Sequence, residues 1–145
     1  QNIVDSAGFN NVSPLAGVAE NIPLPDESVD VVTSNGVLNL IPDKAKCFTE
    51  IFRVLKPGGR VQLADIVVDK AISDECRADP ELWAECVVGA SLKDQYIALF
   101  AEAGFRDITE IRSFDYFAGS NSEKTRKIAS GFAAHTVELV MTKPA

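Results

Sequence analysis

The most regular pattern in the chain runs from Lys44 to Leu55. Phe48, Ile51, Phe52 and Leu55 recur at helical spacing and leave the charged positions on the other side. The segment therefore reads as an amphipathic helix, with Asp43 placed to cap its start. Lys56-Pro57-Gly58-Gly59 ends it, because proline cannot extend the helical ladder and glycine supplies the positive φ that a reversal needs. Apolar runs flank this unit. Val29 to Ser34 (VDVVTS) reads as a buried parallel strand and Arg60 to Val67 as the next strand. Strand, helix, tight turn and strand make a right-handed crossover, which implies a parallel pair and the α/β class.

The remaining elements are weaker. Val12 to Gly17 (VSPLAG) is a short strand candidate despite Pro14, whereas the two prolines of Glu20 to Ser28 (ENIPLPDES) exclude a regular element. Asp79-Pro80 suits the start of a helix through about Val88. Ser91 and Asp94 have the spacing of a capping box for a helix ending at Gly104, with Leu92, Tyr96, Leu99, Phe100 and Ala103 on one face. Ile108 to Tyr116 and Thr136 to Thr142 complete the strands, and Ser122 to Phe132 between them looks helical. The expected order is β, β, α, β, α, α, β, α, β. No internal repeat or low-complexity linker divides the chain, so 1–145 is expected to be one domain.

Composition narrows the function classes. A chain of 145 residues with 46% hydrophobic and 24% charged residues suits a soluble globular fold. The net charge of −7 and the scattered basic residues argue against a nucleic-acid-binding face. Lys124, Arg126 and Lys127, the nearest approach to a basic cluster, read as one solvated helix face. No apolar run approaches the ~20 residues of a membrane span, and no signal peptide is expected. Three cysteines, Cys47, Cys76 and Cys86, form no disulfide framework, so a reducing cytoplasm is the expected setting. With no CxxC and His135 as the single histidine, no metal site is expected. No Ser/His/Asp or Cys/His set has plausible partners either.

One long stretch, GVAENIPLPDESVDVVTSNGVLNLIPDKAKCFTEIFRVLKPGG from Gly17 to Gly59, resembles a known family. It is similar to the class I S-adenosylmethionine-dependent methyltransferases, and within them to the arsenite methyltransferase branch, related to the ubiquinone and menaquinone C-methyltransferases. DPELWAECVVGA (Asp79 to Ala90) and FAGSNSEKTRKIASGFAAHTVEL (Phe117 to Leu139) extend the likeness over nearly the whole chain. The resemblance implies a Rossmann-like, mostly parallel sheet holding strands three to seven of the family order 3-2-1-4-5-7-6, with flanking helices. It also implies S-adenosylmethionine as cofactor, lying across the carboxyl ends of the strands. By the same likeness Val18, Ala19 and Glu20 sit beside the adenine, and Asn35 and Gly36 lie near the methionine part. Many relatives have Asp where this chain has Val18, which leaves the backbone N–H of Ala19 or Glu20 to contact the base. Residues 67–90 are then the substrate-side segment, and Cys86 in ELWAEC matches one thiolate that holds the methyl acceptor in this branch.

The departures matter as much. The sequence carries no GxGxG loop and no acidic strand end to hold ribose, and Gly58-Gly59 cannot substitute because it turns into strand five. A second expected thiolate falls on Gly36 in SNGVLNL. Cys86 is accordingly open between an acceptor ligand and a small buried hydrophobe, and Cys47, beside Phe48 and Ile51, belongs to the core. Glu20 is open between an adenine-side group and a solvated loop carboxylate. Asp65, in QLADI, is open between a polar group at the site mouth and a loop or cap role. His135 is expected at the surface and Trp83 as a packing anchor.

Without strands one and two, Val29 to Ser34 would be an open edge that invites strand pairing, hence a homodimer or a domain swap. The function expected is that of an S-adenosylmethionine-dependent methyltransferase acting on a small molecule, incomplete as this chain alone. The alternative is a non-catalytic interaction module that works through its open sheet edge.

Overall fold

A computed structural model of the chain describes residues 8–74 and 87–145. Among the described residues, five strands and three α-helices follow in the order β1 (Val29–Asn35), α1 (Lys44–Val54), β2 (Leu55–Val68), β3 (Ser91–Leu92), α2 (Lys93–Ala103), β4 (Arg106–Phe114), α3 (Glu123–Gly131) and β5 (His135–Thr142). The sheet order is β1-β2-β5-β4, with the two residues of β3 paired to the end of β2. β1 and β2 are parallel, so β1, α1 and β2 form the crossover expected from the sequence.

Helix α1 starts where the pattern predicts, with the Asp43 carboxylate accepting from Lys46 N at 3.0 Å. Its exit has a support that the pattern did not reveal. Lys143 Nζ donates to the carbonyls of Phe52 at 3.0 Å and Leu55 at 2.8 Å, placing a cation on the helix's last orphan acceptors. Beyond it Gly58 adopts φ +76, and a Cβ on Gly59 would come within 2.8 Å of the Lys56 carbonyl oxygen and 3.0 Å of that of Asp30. The first glycine is needed for its dihedral, the second for close passage of β1.

Helices α1 and α2 cover one face of the sheet. Phe48 stacks on Phe100 at 3.8 Å, and Tyr96 meets both rings edge-on at 5.4 and 5.3 Å. This aromatic wedge packs on Val61, Leu63, Val137, Leu139 and Met141 from β2 and β5. A smaller core on the other face joins Ile66, Val68, Phe117, Ala129 and Ala134. It reaches only the carboxyl half of β2, so Val68 is buried while Gln62 is exposed.

Several expectations from the sequence are corrected. Val12–Gly17 is not a strand but exposed irregular chain, and an isolated bridge between Val18 and Asn21 is the nearest pairing. Pro14 lacks an N–H, and no strand among the described residues runs beside this segment. The four main strands therefore correspond to the family's 4-5-7-6. The expected mostly parallel sheet is mixed in detail: β1, β2, β3 and β4 share one direction, and β5 runs antiparallel to both of its neighbours, β2 and β4. β1 is not a buried strand. Val31 is 41% exposed, because the face opposite α1 is uncovered there and the outer edge of β1 has no partner among the described residues. Ser91 does not cap α2: its backbone pairs with Val67, and Leu92 takes the cap position without a side-chain bond. The helix expected from Asp79, with Trp83, lies for the most part outside the described residues, as do Cys76 and Cys86.

Candidate functional site

Parallel strands bring their carboxyl ends to one rim of the sheet, and this rim collects the polar groups. β1 ends at Asn35, and Gly36 turns away at φ +67 while its N–H donates to the Ala64 carbonyl at 2.9 Å. The chain then makes a short 3₁₀ turn, Leu38–Leu40, before α1. Asp65 of β2 holds that turn in place. One carboxylate oxygen accepts from Asn39 N at 3.0 Å and from the Tyr96 hydroxyl at 3.1 Å, and the other accepts from Ile66 N at 2.9 Å.

Asp65 and Tyr96 are both fully buried. Burial lifts the Asp65 carboxyl above its ordinary value, against the opposing pull of these hydrogen bonds. Burial, followed by the neighbouring Asp65, pushes the Tyr96 hydroxyl well above its own. The pair joins β2, α2 and the turn after β1 through a single carboxylate.

A second tether fixes the proline-rich loop, residues 20–28, against α1. Glu50 accepts from Ile22 N at 2.9 Å and from Arg53 Nε at 2.7 Å. Arg53 in turn reaches the carbonyls of Ile22 and Leu24, each at 2.9 Å, and the Asp26 carboxylate at 2.6 Å. Its guanidinium, bonded to Glu50, holds that carboxyl below the ordinary range. The loop that the sequence left without regular structure is thus made rigid by one helix turn.

The residues singled out in the sequence fall into separate groups. Val18 is 61% exposed in a turn closed by Asn21 N donating to its carbonyl at 3.0 Å. Ala19 packs on the main core, and Glu20 is half-buried. Asn35 and Gly36 stand at the rim, and among the described residues no hydrogen bond or ion pair joins them to the 18–20 turn. Cys47 is wholly buried. Burial first, then the charges of Glu20, Asp43 and Glu50, pushes its thiol up to about 11, so it is a core residue and no nucleophile. His135 opens β5 half-buried, its Nδ1 at 2.9 Å from the Ala133 carbonyl.

Asp65 was legible in the sequence only as a polar group of open role, and its partner Tyr96 only as a face of a helix. A signal was present. Val61, Leu63, Asp65 and Val67 alternate along one face of β2, which puts a carboxylate at a position where the strand period calls for an apolar residue.

The strand order, with an antiparallel last strand inserted beside the crossover unit and a polar rim at the carboxyl ends, defines an open α/β sheet of the nucleotide-cofactor type. The chain belongs to the methyltransferase domain family, whose model matches residues 1–104, and lies on its class I, arsenite methyltransferase branch. It is 43% identical over 98 residues to the arsenite methyltransferase of Halobacterium salinarum and 35% identical over 107 residues to that of Homo sapiens, which covers 68% and 70% of this chain. It spans only 25% and 28% of those relatives' lengths. An arsenic(III) S-adenosylmethionine methyltransferase from Chlamydomonas reinhardtii superposes with a TM-score of 0.71 at 30% identity, covering 89% of this chain and 42% of that one. The YcgJ protein of Bacillus subtilis shares the fold alone, at 20% identity and a TM-score of 0.69, with 99% and 76% covered. S-adenosylmethionine is the cofactor that these likenesses indicate. No described helix is long and apolar enough to cross a membrane.

Proposed function

We propose that the chain is the acceptor-side part of an S-adenosylmethionine-dependent methyltransferase domain of the arsenite type, one domain over 1–145, and that these residues alone do not complete a donor site. The observation that carries this reading is the rim itself. The loop after β1 is locked by Asp65 and Tyr96 at the carboxyl ends of parallel strands, where open sheets of this kind hold ligands.

In this reading the backbone N–H groups of Ala19 and Glu20, beside Val18, meet the adenine, and Asn35 and Gly36 border the methionine part. The cofactor supplies a methyl group on a sulfonium, ready for attack by a soft nucleophile. The acceptor is a small molecule, carried by Cys86 in the 67–90 segment as a soft thiolate ligand. Gly36 brings no second thiolate, so a trivalent arsenical is held by fewer sulfur ligands than this branch uses. A cytoplasmic setting suits free thiols. Calorimetry of the chain with S-adenosylmethionine is expected to show no saturable binding. Micromolar affinity would overturn the incomplete-site reading.

A second reading is favoured by the outer edge of β1, which has no partner strand among the described residues. In isolation the chain pairs this edge with a second copy of itself, which makes it an interaction surface whether or not the chain is catalytic. Thr33 pairs on its inner side with Gln62 of β2 and is exposed. Sedimentation at micromolar concentration is expected to give a dimer, and Thr33→Lys a monomer. A monomeric parent chain excludes the pairing.

A further inference from the structure

β2 and β4 end at the same rim as β1, and β5 begins there, because β5 is antiparallel to both of its neighbours. A cavity of about 490 Å³ opens at this end, two strands away from Asn35 and Gly36, and its size falls in the range of small-ligand sites. Asp69 follows β2, Asp115 follows β4, His135 starts β5 and Arg126 comes from α3, while Phe117 and Ala134 supply an apolar floor.

The charged groups face the same space without neutralising one another. Arg126 is held by the Ser120 carbonyl and has no other partner among the described residues. One oxygen of Asp115 accepts from the N–H groups of Phe117 and Ala118 at 2.9 and 3.1 Å, which leaves its second oxygen open. The nearest ionisable neighbour of Asp69 among the described residues is His135, with Nδ1 at 3.9 Å. No ion pair among the described residues links Arg126 to either carboxylate. His135 Nδ1 lies 2.9 Å from the Ala133 carbonyl, which ties the ring back to its own loop.

Arg126 and Asp115 are tied back to their own loops, and among the described residues Asp69 has no cationic partner closer than His135 at 3.9 Å. This leaves room for a ligand that carries both complementary charges. We propose that this cavity binds a small zwitterion, an α-amino acid with an apolar side chain. Its carboxylate lies on Arg126, its ammonium between Asp69 and Asp115, and its side chain on Phe117 and Ala134. The site is independent of methyl transfer and stands whether or not the rim at Asn35 takes a cofactor.

The test is an NMR titration of the ¹⁵N-labelled chain with leucine, leucinamide and N-acetylleucine, which present both charges, the cation alone and the anion alone. Leucine is expected to shift the amides of residues 115–118 and 133–135 saturably, with each blocked analogue binding about tenfold more weakly for its lost charged contact. Arg126→Gln and Asp69→Asn, both at exposed positions, are each expected to weaken leucine to a similar degree. Three outcomes overturn the proposal. They are no saturable shift with leucine, an analogue that binds as well as leucine, and full retention of leucine binding by both variants.

Discussion

The two edges of this sheet are built differently. β4 is nearly exposed throughout, yet its outer edge is defended. Its pairing with β5 is interrupted by irregularities between Arg106 and Thr109 and between Glu110 and Arg112, and four of its nine residues are charged. Arg112 pairs with Glu138 and lies over the Phe114 ring at 4.8 Å, while Lys93 pairs with Glu110. β1 has one charge in seven residues, Asp30, and Lys56 engages it. From Val31 to Asn35 its pairing with β2 is regular. Bulges and charge are what protein edges use to refuse another strand. β4 carries both along its length, whereas β1 has one irregularity, between Val29 and Val31, and one charge, Asp30, both at its start. β4 is therefore finished as a border, whereas β1 is shaped like an interior strand and is anchored from beneath by buried groups.

That contrast can be broken by substitution, starting where the effect is largest. Asp65→Leu leaves the buried Tyr96 hydroxyl and the Asn39 N–H without their acceptor beside β1, and is expected to cost about 3 kcal/mol in urea unfolding. Gly59→Ala presses a methyl group against the carbonyls of Lys56 and Asp30, the latter in β1, and is expected to cost about 2 kcal/mol. At the other edge Arg112→Ala removes an exposed pair and a ring contact, and a loss below about 1 kcal/mol is expected. A loss at Arg112 as large as that at Asp65 would end the comparison.

Acid titration sharpens it. Burial raises the Asp65 carboxyl above its ordinary value of 3.8, so the folded chain keeps that proton to higher pH than the unfolded chain. The stabilisation from this proton is complete below the unfolded value and is lost as pH rises through the folded one. The stability of the parent chain relative to Asp65→Asn should therefore fall as pH rises from about 4. Unfolding measured at a series of pH values checks the sign, and a rise instead would refute it.

Much of the fold was legible because it rests on local periodicity. The α1 stripe, its Asp43 cap, the positive φ in Pro-Gly-Gly and the helical segment after Ser122 were readable. By contrast, β2 takes Pro57 to Gly59 into its own span, and the cap by Ser122 Oγ, accepting from Thr125 N at 3.2 Å, appears only in the structure. Two failures share one cause. Ser91 has the letters of a capping box, and Val12–Gly17 has apolar letters suited to a strand. In each case pairing with a distant strand, made by Ser91 and missing for Val12–Gly17, decided the outcome. The same holds for the candidate site. Asn35 and Gly36 could be placed at a strand end, but the carboxylate that positions their loop lies 26 residues from Asn39, and the Tyr96 hydroxyl a further 31 from Asp65.

The sequence alone determined the crossover unit, the helical faces and the family, since spacing and turn chemistry act over a few neighbouring residues. Tertiary structure alone decided that β5 runs antiparallel to β2 and β4, that Lys143 closes α1 from 88 residues away, and that Asp69, Asp115, Arg126 and His135 surround one cavity. Such placements depend on which strands share a ladder, and ladder partners are chosen by burial and backbone pairing between segments whose separation along the chain leaves no local trace.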